Sequence, residues 1–253
     1  VAVDPVDAAI DLFQIRPRIL TMQPLVRITV GSVLYGLTTK TSDIDTKGVS
    51  LPSAEDLLGW SDTARSHWEE PDDTVIYSIT KFFALLEKGN PTVIELIGHI
   101  PKDCYQLESA QWESVRHFAR QNFFTKRIIP SFFGYVKDQY ERVAARKAQN
   151  NRTTMIAEHG FDVKCASHVY RLAVMATELM LTGDCHPRMT GKDREVALDI
   201  KTGKYNYEKT LDTLQIAIKG MRATESGCTL PERADIERVN AYVMKLHMEI
   251  VRA

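Results

Sequence analysis

With 253 residues, 44% of them hydrophobic and 26% charged, the chain can bury a sizeable core in one large domain or two modest ones. Its 32 basic residues against 33 acidic ones leave a formal net charge of −1. That balance excludes a global attraction to nucleic acid or to anionic membrane and confines any such binding to local patches. The four cysteines, Cys104, Cys165, Cys185 and Cys228, form no CxxC pair. Neither a disulfide framework nor a zinc knuckle is expected, and reduced thiols in a cytosolic protein fit best. No apolar stretch approaches the roughly 18 residues needed to span a bilayer, and the acidic opening VAVDPVDAAID lacks the basic region of a secretory signal. The expectation is a soluble, cytoplasmic protein with no membrane partner.

In chain order, LVRITVGS (25–32) is a β-branched run ending at Gly-Ser, which reads as a buried strand turning into a helix that begins SVLYGL. SDIDTKGVSL (42–51) carries Ile44, Val49 and Leu51 and reads as a second strand. Pro52 stops it, and SAEDLLG opens a short helix with Ser53 as N-cap. DTVIYSI (73–79) supplies a third strand, running into the helix TKFFALLEKG, whose Phe82, Leu85 and Leu86 share a face before Gly89 closes it. From about residue 105 the pattern is helix alone: 132–149, 162–183, 206–223 and 234–253 all show three-to-four-residue apolar spacing. Gly183 and Pro187 end the second of these. The fold class expected is α+β, a small mixed-sheet core over 1–105 followed by an all-helical domain over 106–253, with a linker inside 98–112.

Asp43 and Asp45 stand at i and i+2. On a strand that spacing projects both carboxylates from one face while Ile44 turns toward the core. Two neighbouring acids repel, so such a strand wants Mg²⁺ or Mn²⁺, hard ions that take carboxylate oxygens and leave sites for water and phosphate. Gly31 and Ser32, at the start of a helix, are the complementary feature, because glycine lets backbone approach closely and free N–H groups with a hydroxyl hold phosphate oxygens. Together they describe a nucleotide with its metal. The plainer reading of TSDID is a polar turn with Asx-type hydrogen bonds.

GSVLYGLTTKTSDIDTKGV resembles the signature of the DNA polymerase beta-type nucleotidyltransferase superfamily, in which a strand, a Gly-Ser and a helix precede an acid-x-acid strand. The wording YGLTTKTSDIDTKGV, with KGNPTVIELI and KCASHVYRL further on, is more similar to a branch common in bacteria and phages, some members of which are associated with RNA repair. The resemblance covers roughly residues 25 to 240. It implies that 1–105 is a nucleotidyltransferase core, that Gly31 and Ser32 bind a nucleoside triphosphate, and that Asp43 and Asp45 hold two Mg²⁺ (or Mn²⁺) ions.

Two-metal nucleotidyl transfer uses a third acid to bind one ion and activate the attacking hydroxyl. Asp73, at the entry of the third strand, is the choice, with Asp72 beside it; Glu95, an acid inside an otherwise apolar helix, is the rival. The plainer role for Glu95 is a structural carboxylate that accepts hydrogen bonds. Lys164, His168 and Arg171 fall at i, i+4 and i+7, on one helical face, with Val163, Ala166 and Tyr170 marking the buried side. By the resemblance, Lys164 and Arg171 are phosphate ligands and His168 reaches phosphate or ribose; otherwise the row is a solvated basic face. Tyr35 and Lys47 frame the first motif as weaker nucleotide contacts. His186, beside Cys185, is assigned no zinc. Trp60, Trp68 and Trp112 are assigned to the core.

Residues 115–152 hold nine lysines and arginines (Arg116, Arg120, Lys126, Arg127, Lys137, Arg142, Arg146, Lys147, Arg152) against only Asp138 and Glu141. With Phe132, Phe133, Tyr135 and Tyr140 interleaved, the segment suits an RNA backbone, or is merely a wet helix face. The expected activity is transfer of a nucleoside monophosphate from a triphosphate to a hydroxyl, on RNA such as a tRNA end, with release of pyrophosphate. The alternatives are a small-molecule or protein hydroxyl as acceptor, or a nucleotide- or RNA-binding module without turnover.

Overall fold

The aliphatic run after Met22 forms the strand β1 (Gln23–Thr29), in which Leu25, Val26 and Ile28 are buried. The structure, a computed structural model, describes residues 22–40, 42–60, 62–70, 73–147 and 153–252; Asp72 and Arg152 lie outside them. β1 joins a five-stranded sheet with β2 (Thr46–Leu51), β3 (His67–Glu70), β4 (Thr74–Ser78) and β5 (Tyr105–Glu108), in the order β3-β4-β2-β1-β5. β2 and β4 run parallel, from Thr46↔Thr74 to Ser50↔Ser78, and the other pairs are antiparallel. Gly48 sits where three strands crowd: a Cβ there would lie 2.6 Å from Ile76 Cδ1 and 2.9 Å from the Val26 carbonyl.

Helices α1 (Gly31–Leu34), α2 (Ala54–Leu58), α3 (Ile79–Glu87) and α4 (Pro91–Ile97) are interspersed among the strands, and α5 (Trp112–Phe123) follows the last of them. Ser53 caps α2 reciprocally with Asp56, Ser78 caps α3, and Asn90 caps α4 ahead of a proline at its first position. Beyond them stand α6 (Ile128–Ala144), α7 (Thr153–His159), α8 (Val163–Thr182), α9 (Gly191–Lys201), α10 (Tyr207–Ala223) and α11 (Ile236–Arg252). α8 starts on the Asp162 side chain and stops at Gly183, which takes φ +71°.

Two expectations need correction. The chain from residue 105 is not helix alone, because β5 pairs with β1. It is a four-residue edge strand with no buried position, so no apolar alternation announces it. α8 is not a helix with one buried side. It packs against α6, α9 and α10, and Arg171 is buried on the face expected to be basic. The apolar core is continuous from Ile28 in the sheet and Phe82 on α3 to Val169 on α8 and Leu214 on α10.

Candidate active site

The end of β1 sets the site. The last β1–β2 pair is Thr29↔Thr46, and the next N–H, of Val30, donates to the Asp45 carbonyl at 2.8 Å. The chain then turns at Gly31 with φ +61°, and a Cβ there would run into the Asp45 carboxylate. Both the conformation and the close approach require glycine. Asp43-Ile44-Asp45 lies just ahead of β2 and not within it. The pairings of β2 with β1 and with β4 both begin at Thr46, and Ile44 does not enter the core: it is 65% exposed. The two acids still share a side, for Asp43 and Asp45 line one cavity with Gly31 and Ser32.

The parallel pair Thr46↔Thr74 brings Asp73 beside Asp45, each residue one step before its strand, and the Thr46 N–H donates to the Asp73 carbonyl at 3.2 Å. Asp73 adopts φ +56°, a conformation aspartate tolerates better than most residues. The Asp45 carboxyl is held above its usual range, first by burial and then by repulsion from Asp73 and Asp43. Asp45 thus stands between Asp43 and Asp73, shared by the two cavities they line, over a residue with no side chain, and its oxygens with theirs are the hard donors a divalent cation takes.

The cavity of about 300 Å³ is closed from the helical side by Lys164, His168 and Arg171 of α8. Lys164 Nζ lies 3.8 Å from Asp43 Oδ2. Arg171 is only 2% exposed, and its guanidinium covers the Tyr35 ring at 3.6 Å. Asp73 lines a second cavity of about 390 Å³ that shares Gly31, Tyr35 and Asp45 with the first and adds Lys47, Glu69 and Glu70. Glu95 lines neither. It is buried and accepts hydrogen bonds from Tyr35 Oη at 3.0 Å, Lys47 Nζ at 3.2 Å and Arg171 at 3.3 Å. Tyr35 and Lys47 thus point their polar ends at Glu95.

Lys201 has no signal in the sequence, lying in an unremarkable KTGK at the end of α9. Its Nζ donates to Ser32 Oγ at 2.7 Å and to the Leu37 carbonyl at 2.6 Å. Burial lowers its pKa, and Lys164 adds to the effect. Tyr135 and Gln139 of α6 also line the cavity.

The basic segment is not a free cationic strip. Arg120 pairs with Asp184 at 2.6 Å, Arg116 with Glu113 at 2.8 Å, Arg142 with Asp138 at 3.1 Å and Arg127 with Glu87 at 3.5 Å. Lys126 pairs with Glu232, Lys137 with Glu141, and Arg146 lies over the Tyr207 ring. Phe132 is buried, and Phe133, Tyr135 and Tyr140 pack against the core. Acids from distant segments supply charge that the local sequence lacks.

His186 has company that the sequence hid. Its ring stacks on His99 at 4.3 Å and 10°, and ligand atoms of His99, Asp184 and His186 lie within 4.8 Å of one another. Arg120 occupies that space, 2.6 Å from Asp184 Oδ1 and 3.0 Å from His99 Nε2. Parallel rings do not converge their in-plane lone pairs on one ion, and a guanidinium already supplies the positive charge. Of the tryptophans only Trp112 is fully buried; Trp60, past the end of α2, is fully exposed, against expectation.

An acid-x-acid ahead of a sheet strand, a glycine turn beneath it and a cationic helix across the cavity define the polymerase beta-type nucleotidyltransferase class. A family model described as the RNA repair pathway DNA polymerase beta family, RlaP, matches residues 14–243, and the chain belongs to that family. Among curated proteins it is 26% identical over 136 residues to an uncharacterized 38.9 kDa protein of the nrdC-mobD intergenic region of enterobacteria phage T4. That match covers 49% of this chain and 40% of the phage protein. A crystal structure of a nucleotidyltransferase-like protein from Exiguobacterium sibiricum 255-15 overlaps at TM-score 0.29 and 10% identity, covering 87% of this chain and 73% of that one. None of the described helices is long and apolar enough to cross a membrane.

Proposed function

We propose that the protein transfers a nucleoside monophosphate from a nucleoside triphosphate to a hydroxyl, with an RNA end as acceptor, and releases pyrophosphate. The observation that carries this reading is the single cavity lined by Gly31, Ser32, Asp43 and Asp45 from one half of the chain and Lys164, His168 and Arg171 from the other. We read the chain as far as β5, a little past the boundary expected at 105, as the catalytic domain, and the helices after it as the helical domain that closes over the nucleotide. The family's description supports RNA as acceptor.

Asp43, Asp45 and Asp73 would hold Mg²⁺ or Mn²⁺, and such ions, when bound, offset charge on the triphosphate and polarise its phosphates. The Gly31–Ser32 turn approaches the phosphates with its backbone, and Lys164 and Arg171 balance their charge from α8. The acceptor enters through the second cavity, beside Asp73. Its oxygen forms a bond to the α-phosphorus as the bond from that phosphorus to the β-phosphate oxygen breaks. Asp73 takes the hydroxyl proton, and pyrophosphate leaves.

The test is incubation of the purified protein with each α-labelled triphosphate, Mg²⁺ and total RNA. Label should move into RNA, and Asp43→Ala or Asp45→Ala should abolish transfer. Label entering small molecules or protein instead would reassign the acceptor. Binding of triphosphate with no transfer to any fraction would leave a nucleotide-binding module.

A further inference from the structure

Glu95 is the sole charged residue of α4, a helix otherwise composed of Pro91, Thr92, Val93, Ile94, Leu96 and Ile97. Its side chain is 1% exposed, and its three donors come from three different elements. Tyr35 follows α1, which begins with the Gly-Ser turn. Lys47 lies on β2, two residues past Asp45. Arg171 is on α8, seven residues past Lys164. Lys47 is tied further, to the Thr92 carbonyl at 2.8 Å. Arg171 spans from Glu95 at one guanidinium nitrogen to His168 Nδ1 at the other, 3.2 Å away, and its plane lies on the Tyr35 ring. One carboxylate faces two cations, so net positive charge remains at a wall of the nucleotide cavity.

We infer that Glu95 is a positioning residue: an anionic joint that fixes Arg171, and through it His168, toward the triphosphate while clamping the Gly31–Ser32 turn and β2, at whose entry Asp45 stands, against α8. It is not a metal ligand. Buried, hydrogen-bonded charge pairs hold geometry firmly, and removal of one member leaves the others free to reorient. The inference rests on the nucleotide reading above for its binding readout.

Charge alone and position make opposite forecasts for Glu95→Gln. Deleting an anion near a polyphosphate site strengthens attraction for the ligand, whereas misplacing Arg171 and His168 weakens it. The expected result, by titration of a fluorescent nucleoside triphosphate in saturating Mg²⁺, is a loss of affinity of about tenfold or more, as for loss of a charge-assisted hydrogen bond. The Mg²⁺ concentration giving half-maximal binding should stay at the wild-type value in Glu95→Gln and rise in Asp73→Asn. Affinity equal to or above wild type, or a Mg²⁺ requirement that rises as in Asp73→Asn, would overturn the inference.

Should Glu95→Gln not fold, Tyr35→Phe keeps the ring under Arg171 and removes only the bond to Glu95. It should weaken binding about threefold, toward the low end of the net worth of one hydrogen bond, and wild-type affinity would count against the joint. Amide hydrogen exchange needs no nucleotide and separates the two readings. Faster exchange at 35–37 and around Arg171 in the same variant supports the joint even if wild type binds no triphosphate, and unchanged exchange refutes it.

Discussion

Asp45 bears the electrostatic strain of the site, because burial and two neighbouring acids all oppose its charge. Neutralising it as Asp45→Asn should therefore raise the melting temperature of the metal-free protein at pH 7. Mg²⁺ should raise the melting temperature of wild type, since a ligand of the native state stabilises it by mass action, and should lose that effect in the variant. Thermal shift with and without Mg²⁺ checks both. The acids and the Gly-Ser were legible because their spacing is local and each residue type has a chemical reason to be there. Arg171 was legible by periodicity, but its burial was not: three residues at i, i+4 and i+7 read alike whether solvent or another element covers them. Lys201 was illegible because its partners, Ser32 and Leu37, lie far away in the chain.

At the scale of elements, strands with apolar cores and helices with caps could be read directly, as Ser53, Gly89 and Gly183 show. The two edge strands could not. His67–Glu70 and Tyr105–Glu108 are half-exposed, polar and four residues long, and only their neighbours make them strands. α11 illustrates docking through a titratable group. His247 is half-buried against Thr80 of α3, its Nε2 3.3 Å from Thr80 Oγ1, and burial lowers its pKa. The unfolded chain, with a histidine pKa of about 6.5, thus takes up a proton at a higher pH than the folded one. Stability from this group is full above that value and is lost as pH falls through the window beneath it. Urea midpoints at pH 5.5 and 7.5 should differ more for wild type than for His247→Gln.

Across the whole molecule, charge is balanced over distances that no sequence window covers. Glu87, Asp184 and Glu232 reach the segment that looked like an RNA track and pair with its cations. Any affinity for RNA should accordingly fall by less than about a thousandfold between 50 and 200 mM salt, the lower end of the loss for proteins making six to ten phosphate contacts. Filter binding across that range measures the slope. The change to helical composition near residue 105 was visible, whereas the continuity of the core across it was not, since packing between distant segments leaves no local periodicity. All four thiols, Cys104, Cys165, Cys185 and Cys228, are reduced and buried, Cys165 in the wall of the first cavity. An alkylating reagent finds no ready handle on the native chain, so its rate of attack becomes a clock for opening. Cys165 lines the cavity with Asp43 and Asp45, beside Gln139 and 3.1 Å from its Oε1, so a triphosphate bound there, as proposed, would shield this thiol first.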